Sequence, residues 1–552
     1  MNNIEIPTSD YGDKYRLTED GLYRWDDDVK KFTCVSNVVF IKERKQAIGS
    51  KEITLVLCYK YIGNEIDEIE ISRGDLEQRK IQSLRSKGVD VTSCNSKFIE
   101  EFLTIQEEHA SYKMLYKNLG WIEGQTPDTF ALENFITKNG IDSKSEYAGN
   151  LMLKPTGNRA TYLNLIKQEV VGHTPLEFIF ALSFAGVLIS YDCLNQTKQL
   201  LMAHAFGNST TGKTTAAKLM ASVFGKPTVT GDGLIRTWNA TATALKTQFG
   251  DNHGVPMILD EASVQNSTYD FSSTIYQFSQ GMDRARSNVD LNVRKQYTWS
   301  GTFFSTAEHG LLEKANQNKG LKARVLEFES VEWTKSKKHA DKLNDLLEKN
   351  FGWLGIEFVE FFFEKIENSD FESSLKTHQQ SFVSNNADNN VTAITERLLE
   401  KYAYVLVAAE YVNECFGLTL DVQAIKDFIL ENDTKQSPTR DSAQTALEYI
   451  QSKIVEYDNS FIVELGTSHI SCTESKSNTF STIGKKYSNG EVAVLKEKVD
   501  EWLTEAKFNH PQQIMKELKD RGILDAEKGR NTRKRKLNDQ EVNVYVFKNL
   551  SD

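Results

Sequence analysis

The sequence has little proline, little cysteine and no long uninterrupted apolar run. Only 8 prolines and 6 cysteines occur among 552 residues. The cysteines are scattered, with no Cys-x-x-Cys pair and no nearby histidine, which argues against a zinc site and a disulfide framework. The longest apolar run, Phe178 to Ser190, is shorter than the roughly 20 residues that cross a bilayer, and the N-terminus has no signal pattern. We therefore expect a cytoplasmic protein with no membrane span.

An excess of positive charge is also missing. The formal net charge is -11, with 26% charged and 39% hydrophobic residues. Such a composition is typical of folded globular proteins, and the length predicts several domains. The net negative charge argues against a chain that is coated with nucleic acid. It says nothing about local basic surfaces.

Apolar patterning divides the chain into four predicted segments. Residues 1–150 read as short alternating strands followed by a helix near Lys97 to Leu119, which predicts an N-terminal β-rich domain. In residues 151–334, strands and helices alternate, as in an α/β core. Residues 335–435 read as a helical subdomain with a linker. Residues 436–552 contain helices followed by a basic hairpin, which predicts a winged-helix DNA-binding domain.

Three local patterns carry further expectations. Thr174-Pro-Leu-Glu177 has the form of a capping box with proline in the first turn of an apolar helix. The stretch PTVTG, residues 227–231, reads as one of the strands of the α/β segment. The polar stretch NDTKQSPTRDSAQ, residues 432–444, reads as a linker because turn-forming residues dominate it.

A glycine-rich stretch between an apolar strand and a helix carries the strongest chemical signal. Residues 207–214 fit the pattern GxxxxGK[ST], after LLMAHAF and before TTAAKLMASVF. The glycines permit a turn whose amides point at phosphate oxygens, and the helix start favours anions. Lys213 would reach the β and γ phosphates of ATP, and Thr214 would offer its hydroxyl to Mg²⁺. The predicted cofactor-binding residues are Gly207, Asn208, Ser209, Thr210, Thr211, Gly212, Lys213, Thr214 and Thr215.

Two later strands end in polar residues that suit ATP hydrolysis. The strand VPMILDE delivers Asp260, suited to hold Mg²⁺, and Glu261, suited to polarise the attacking water. A second acid beside the metal ligand favours hydrolysis over phosphotransfer, because a kinase needs an acceptor site instead. The strand TWSGTFFST ends in Ser305 and Thr306, which could sense the γ-phosphate, orient the water or only cap the strand.

A basic residue before the strand ARVLEFE completes the predicted catalytic set. Arg324 is a candidate arginine finger that acts on the ATP of a neighbouring subunit, because a guanidinium there would neutralise charge in the transition state. A surface salt bridge is the alternative. The predicted catalytic residues are Lys213, Glu261, Arg324, Ser305 and Thr306.

Two basic clusters are candidates for DNA contact. The first lies in a predicted hairpin around VDLNV and, in the pore of a ring, would offer cations to a phosphate backbone. The second lies at the predicted wing, behind the candidate recognition helix HPQQIMKELKDRG. Either cluster could instead be a solvated surface with no DNA contact. The second cluster could also mimic a localisation signal. Arg286 of the first cluster could face an ATP site across a subunit interface. The first cluster is Arg284, Arg286, Arg294 and Lys295. The second is Lys528, Arg530, Arg533, Lys534, Arg535 and Lys536.

Five stretches resemble a known family: FGNSTTGKTTAAKLMASVFGKP, RTWNATATALKTQ, MILDEA, GMDRARSN and TWSGTFFSTAE. They are similar to helicase-like P-loop ATPases of phages, plasmids and genomic islands. Within these, the chain resembles the self-loading, MCM-like replicative helicases and initiators of staphylococcal mobile elements, namely pathogenicity-island Rep proteins and cassette-chromosome Cch proteins. The resemblance implies an AAA+ fold, a hexameric ring, dependence on ATP and Mg²⁺, and 3′ to 5′ DNA unwinding.

The resemblance also implies roles for particular residues. Lys213 and Thr214 match the Walker A positions, and Asp260 and Glu261 match the Walker B positions. Ser305 or Thr306 matches sensor 1, although many such ATPases have asparagine there, and Arg324 matches the finger less closely. Rep initiators bind their origin through the C-terminal region, which would give the winged helix a specific DNA target.

The combined hypothesis is an α/β protein with an AAA+ P-loop core, an N-terminal β-rich domain and a C-terminal winged helix. It would be a replicative DNA helicase and replication initiator, a homohexamer with single-stranded DNA in its pore and duplex origin DNA at the winged helix. One alternative is a DNA-binding regulator that uses ATP only as a switch and does not unwind. Another is a P-loop enzyme that is independent of nucleic acid, such as a small-molecule kinase.

Overall fold

The computed structural model describes two compact units, Met1–Asn150 and Leu151–Asp552, both of mixed α/β structure with several sheets. The described residues are 4–61, 65–122, 128–194, 196–197, 199–264, 271–284, 296–313, 319–384, 393–464, 482–508, 510–538 and 540–548.

Short strands and two helices build the N-terminal unit. Strands β1 to β4 form an antiparallel meander, and β9 to β12 form another. Strands β5, β6 and β7 pair antiparallel, while β8 joins β5 and β13 joins β8 in parallel. The strands are β1 (Ser9–Tyr11), β2 (Tyr15–Leu17), β3 (Leu22–Asp26), β4 (Lys31–Ser36), β5 (Val39–Ala47), β6 (Ile53–Lys60), β7 (Ile66–Ser72), β8 (Ser111–Tyr116), β9 (Leu119–Trp121), β10 (Thr129–Ala131), β11 (Phe135–Thr137), β12 (Gly140–Asp142) and β13 (Ser145–Tyr147). The helices are α1 (Gln78–Ile81) and α2 (Ser96–Gln106).

The helix predicted near Lys97 to Leu119 is wrong in its second half. Helix α2 ends at Gln106, and residues 111–116 form β8 instead. The Gln106 side chain connects the end of the helix to β5. It accepts a hydrogen bond from the Ile41 amide at 2.7 Å and donates one to the Ile41 carbonyl at 2.9 Å. The alternating segment SYKMLY then pairs with β5, so tertiary pairing decides its conformation.

The second unit contains the remaining elements. Its strands are β14 (Leu200–Phe206), β15 (Ile235–Thr237), β16 (Asn252–His253), β17 (Met257–Asp260), β18 (Trp299–Ala307), β19 (Val325–Glu329), β20 (Phe461–Val463), β21 (Gly484–Lys486), β22 (Val492–Leu495), β23 (Leu524–Asp525), β24 (Arg533–Leu537) and β25 (Gln540–Phe547). Its helices are α3 (Arg159–Leu165), α4 (Thr174–Asp192), α5 (Lys213–Ser222), α6 (Ala242–Phe249), α7 (Phe271–Ser279), α8 (Lys319–Lys322), α9 (Lys337–Lys349), α10 (Trp353–Glu367), α11 (Asp370–Ser384), α12 (Ala393–Phe416), α13 (Val422–Arg440), α14 (Ser442–Glu456), α15 (Lys496–Glu505) and α16 (Pro511–Asp520).

The central sheet of this unit has the parallel strand order β15-β17-β18-β14-β19, and the two-residue strand β16 also pairs parallel with β18. All four strands that pattern analysis placed at LLMAHAF, VPMILDE, TWSGTFFST and ARVLEFE are present. A fifth strand is predicted at PTVTG, residues 227–231, and this position is wrong. The strand that pairs with β17 is formed by residues 235–237 instead. The carboxyl ends of parallel strands meet at one edge, where open α/β sheets bind ligands.

The apolar helix α4 is the core helix of the second unit. It is long and apolar enough to cross a membrane by composition, but 83% of its most hydrophobic window is buried in the protein. The predicted capping box is wrong, since the N-cap is His173 and Thr174 already lies in the helix. Glu177 instead accepts from the backbone amides of Gly172 at 2.8 Å and of Asp421 at 3.3 Å.

The predicted linker at residues 432–444 is also wrong. Helix α13 continues to Arg440, and α14 begins two residues later. Asp441 separates the helices as the N-cap of α14, because its carboxylate accepts the amides of Ala443 and Gln444 at 3.1 Å. The polar residues at this point therefore cap a helix instead of forming a loop.

Residues after Asp441 form three helices on a small sheet. Helices α14, α15 and α16 pack through a shared core against the sheet β20-β21-β22-β25-β23. The predicted basic hairpin is present as β24 paired antiparallel with β25. The apolar stretch VAVLKEKVDEWLTEA is typical of one continuous helix, but VAVL forms β22 and the helix begins at Lys496.

Candidate functional site

The glycine-rich loop lies at the carboxyl end of β14, an inner strand of the central sheet. Gly207, Thr210 and Gly212 all have positive φ, at 127°, 78° and 88°. Position 212 excludes a larger residue, because a Cβ there would lie 2.5 Å from the Thr334 hydroxyl oxygen. Lys213 folds over the loop, and its Nζ donates to the carbonyls of Gly207 at 2.9 Å and residue 208 at 2.7 Å. The turn therefore has the strained backbone that a phosphate cradle requires.

A hydroxyl and a carboxylate meet in front of this loop. The Thr214 hydroxyl lies 3.4 Å and 3.3 Å from the two Asp260 carboxylate oxygens. The Thr306 hydroxyl donates to the same carboxylate from the neighbouring strand β18. Hydroxyl and carboxylate oxygens are ligands that Mg²⁺ accepts, usually with waters and substrate phosphates completing the shell. The described residues contain no cluster of three His, Cys, Asp or Glu side chains for a metal, so any metal here would depend on phosphate and water.

Strand alternation separates the two hydroxyls that the sequence left as alternatives. Ser305 is fully buried and accepts from the Trp238 indole Nε1 at 2.8 Å. Thr306 points to the other side, where its oxygen also accepts the Glu261 amide at 3.1 Å. The structure therefore brings Thr306, and not Ser305, to the acidic pair.

Glu261 sits directly after β17 in a strained conformation. Its φ is 63°, a left-handed value that costs an ordinary residue about 1 kcal/mol. The hydrogen bond from its amide to Thr306 holds this turn, and the residue is exposed. A third acid, Glu308, follows β18 and its amide donates to the Ser263 hydroxyl at 2.9 Å.

Burial and nearby acids act in opposite directions on Lys213. Burial lowers the pKa of Lys213, while the negative charges of Glu261, Glu308 and Asp260 raise it. Beneath the loop, His204 is fully buried, and burial lowers its pKa to about 4. His204 is therefore neutral at pH 7, and Lys213 is the cation that lies over this loop.

Arg324 lies at the opposite edge of the sheet from the loop. It precedes Val325, which is paired with Met202 near the start of β14. Five residue steps separate Met202 from Gly207, a span of roughly 16 Å in an extended strand. The Arg324 guanidinium stacks 4.5 Å above the Tyr276 ring and donates to a backbone carbonyl. Arg324 therefore lies too far from the glycine-rich loop of the same chain to contact an anion there.

Of the first basic cluster, only Arg284 lies in the described residues. Arg284 donates to the Ser273 hydroxyl at 3.1 Å, and the preceding Asp283 pairs with buried Lys246 at 3.3 Å. Arg286, Arg294 and Lys295 lie outside the described residues. A DNA-contacting role for this hairpin stays a prediction.

The basic strand β24 divides into two faces. Arg533 and Arg535 both approach Asp525, at 2.9 Å and 3.7 Å. Lys534 and Lys536 are exposed and alternate with them, and Lys534 pairs with Glu541 at 3.2 Å. Lys528 and Arg530 lie in the preceding loop, where Arg530 approaches Glu527 at 3.8 Å.

Cross-strand register decides which face looks toward α16, the candidate recognition helix. Lys534 lies opposite Asn543 in β25, and Tyr545, two residues on, shares that face. The Tyr545 hydroxyl accepts from Gln512 of α16 at 2.9 Å. Lys534 and Lys536 therefore lie on the recognition-helix side of the sheet, whereas Arg533 and Arg535 lie on the other side.

Comparison with known proteins places this chain in a family. The model described as a domain of unknown function, DUF927, matches residues 15–298, just over half of the 552 residues. The chain belongs to the DUF927 family. Residues 441–552 of this DUF927 protein match the Cch helix turn helix domain, so the predicted C-terminal winged-helix domain is confirmed only as a helix turn helix domain.

A solved structure described as "SCCmec type IV Cch - active helicase" is similar to this DUF927 protein over nearly its whole length. The TM-score is 0.74, and the match covers 97% of both chains at 19% identity. At this identity the likeness concerns the fold alone, and it confirms the predicted resemblance to the Cch group at that level. No curated protein matches the DUF927 chain.

Two hydroxyl substitutions in the DUF927 protein should have different effects. Thr306→Val removes the hydrogen bonds to Asp260 and Glu261, so we expect ATP turnover to fall about 10-fold or more with little change in stability. Ser305→Ala leaves the buried Trp238 N–H without its acceptor, at a cost of about 1–3 kcal/mol in unfolding free energy, with turnover largely kept. Denaturant unfolding and steady-state turnover of both variants measure this split. Equal losses of turnover would contradict it.

Proposed function

We propose that this protein is an ATP-dependent DNA helicase and replication initiator. The observation that carries the proposal is the convergence of Lys213, Thr214, Asp260 and Thr306 at the carboxyl edge of one parallel sheet. The Cch-like fold and the Cch helix turn helix domain support a DNA substrate. The motif resemblance supports the AAA+ assignment and the MCM-like, 3′ to 5′ details.

Each side chain would have one task in hydrolysis. Lys213 leaves the loop carbonyls and binds the β and γ phosphates, while loop amides bind the remaining phosphate oxygens. Thr214 and Asp260 would hold Mg²⁺, which supplies charge neutralisation on the β and γ oxygens when bound. Glu261 accepts the proton of the attacking water, and Thr306 holds the Glu261 turn and the Asp260 carboxylate in place.

The position of Arg324 supports a ring. A guanidinium at the edge opposite its own loop can contact an ATP only in a neighbouring copy. Repeating this head-to-tail contact closes a ring when the rotation permits. We therefore propose a homo-oligomer, a hexamer by resemblance, with single-stranded DNA in its pore.

Origin duplex would bind the C-terminal domain. Exposed Lys534 and Lys536 lie on the same face as α16, which suits a wing against a phosphate backbone beside a helix in the groove. Asp525 lies near Arg533 and Arg535, and Glu541 lies 3.2 Å from Lys534, so each pair of cations has one acidic neighbour. The face of β24, and not the number of acidic neighbours, therefore distinguishes the two pairs.

The double variant Lys534→Gln/Lys536→Gln should weaken binding to a random-sequence duplex. We expect the slope of log K against log[salt] to fall by about 2, one for each phosphate that is no longer neutralised. Arg533→Gln/Arg535→Gln is the matched control and should change the slope less, because Arg533 and Arg535 lie on the side of the sheet away from α16. Fluorescence anisotropy over a salt series measures both. Equal changes in slope would contradict the division of β24 into two faces.

Stimulation of ATP turnover by single-stranded DNA tests the proposed class of enzyme. A helicase motor is expected to hydrolyse ATP faster with DNA, and Lys213→Ala should abolish the turnover in both conditions. A small-molecule kinase has no reason to respond to DNA. A regulator that uses ATP as a switch needs no fast hydrolysis, so slow, DNA-independent turnover would favour it.

A further inference from the structure

Helix α16 follows α15 after a short turn inside the region that matches the Cch helix turn helix domain. Helix α15 ends at Glu505 and α16 begins at Pro511. The inner face of α16 is buried in the core of this domain through Ile514, Met515 and Leu518. In a helix-turn-helix, the second helix enters the major groove of duplex DNA. The outer face of α16 is therefore the surface that would meet the bases.

Three residues form this outer face. Gln513, Lys516 and Asp520 are spaced by three and four residues, so they form one stripe along a helix with 3.6 residues per turn. The stripe lies opposite the buried side chains, and all three residues are exposed. An amide and an ammonium occupy its N-terminal half, while its C-terminal end has a carboxylate. Because DNA phosphates repel a carboxylate, the N-terminal half is the part that suits contact with DNA.

Polar residues on the flanks of α16 are used inside the domain. The Gln512 side chain donates to the Tyr545 hydroxyl of β25 at 2.9 Å. The Lys519 ammonium donates to the Glu527 carbonyl at 3.1 Å and also to the carbonyl of Arg530. Both carbonyls belong to the loop before β24. These contacts attach the helix to the basic hairpin.

The arginine at the end of α16 attaches the helix to α14. The Arg521 guanidinium pairs with the Asp441 carboxylate at 2.6 Å and 2.9 Å and with Glu517 at 2.8 Å. At the other end of α16, Asn531 donates to the Gln512 carbonyl at 3.0 Å. The helix is thus held along its length, so its outer stripe has a fixed orientation. Direct recognition of bases depends on such a fixed geometry.

We propose that Gln513 and Lys516 contact base edges in the major groove of duplex DNA, whereas Gln512, Lys519 and Arg521 position the helix. This inference rests on the proposed binding of origin duplex by the C-terminal domain. A glutamine amide suits adenine N6 and N7, and a lysine ammonium suits guanine O6 and N7. The two residues are about 4.5 Å apart along the helix axis, close to the rise of about 3.4 Å between base pairs. The preferred duplex therefore has an adenine and a guanine at neighbouring positions.

The first test is selection from a library of random-sequence duplexes by the full-length protein. Lys516→Gln should change the preferred base from guanine to adenine at one position, because glutamine suits adenine. Gln513→Ala should lose the preference for adenine at another position, where discrimination between bases falls about 5-fold to 100-fold. The Tm of both variants should stay unchanged, since both side chains are exposed.

Gln512→Ala and Lys519→Gln are the matched controls, one for each residue type. Both residues position the helix, so their loss should weaken binding to all duplexes to a similar degree and keep the preferred sequence. A salt series with the selected duplex separates base contacts from phosphate contacts. Loss of a phosphate contact weakens binding to all sequences equally and lowers the slope of log K against log[salt] by about 1.

The outcomes separate this inference from the function on which it rests. A changed base preference in Lys516→Gln and a lost one in Gln513→Ala, with the preference of both controls kept, support the inference. Unchanged preferences in both variants overturn it, and so does a lower Tm in either. Uniform weakening by Lys516→Gln with a slope lower by about 1 also overturns it, because Lys516 would then contact phosphate. A wild-type protein that selects no sequence overturns the proposed origin binding itself.

Discussion

Glu261→Gln is expected to reduce ATP turnover at least about 100-fold while nucleotide binding persists. The amide cannot accept the proton of the attacking water, and general-base catalysis contributes about 10²–10⁴-fold in enzymes. The substitution keeps the length of the side chain and leaves the hydrogen bond from the residue 261 amide to Thr306 intact. Steady-state turnover and equilibrium binding of a fluorescent ATP analogue measure the two effects separately.

Glu308→Gln is the matched control for this prediction. Glu308 also follows a strand of the central sheet, and its charge also acts on Lys213. Its amide is bonded to Ser263, however, and no contact joins it to the Asp260–Thr306 pair in the described residues. We expect only a few-fold change for this variant. Comparable losses for both glutamates would mean that local negative charge matters and that no particular carboxylate acts as the base.

Arg324→Ala is expected to reduce turnover about 1,000-fold or more, the range found for arginine fingers. Nucleotide binding should change little, because Arg324 lies at the edge opposite its own phosphate loop. Mixing Arg324→Ala with Lys213→Ala subunits should restore part of the turnover, since each protein supplies what the other lacks.

Arg159→Ala provides the comparison for a surface arginine. Arg159 forms a bidentate salt bridge with Glu357, with both N–O distances at 2.7 Å. Exposed salt bridges contribute about 1 kcal/mol or less to the free energy of unfolding. We expect near-normal turnover from this variant. If Arg324→Ala behaved in the same way, the finger assignment would fail, and the contacts of Arg324 with the Tyr276 ring and the Gly320 carbonyl would be structural only.

Local features of the site were predictable from the sequence, because they depend on neighbours along the chain. The glycines and the lysine of the loop lie within eight residues, and the flanking strand and helix follow from apolar patterning. The choice between Ser305 and Thr306 was not predictable in the same way. It depends on Trp238, which lies more than sixty residues away and takes Ser305 into the core.

Errors in the predicted elements have a similar cause. The pattern at Lys97 to Leu119 fits a helix, but pairing with β5 makes its second half a strand. The polar stretch at 432–444 reads as a linker, yet Asp441 turns it into the junction of two helices. The Asp525 contacts of the basic strand depend on how β23 and β24 flank β25, which no local pattern contains.

Unwinding of a forked duplex by the wild-type protein and by Lys213→Ala tests the central claim most directly. ATP turnover is recorded in the same samples, with and without DNA. We predict DNA-stimulated turnover with strand separation by the wild type, and neither activity in the variant. ATP turnover without strand separation, or strand separation that persists in Lys213→Ala, would contradict the helicase assignment.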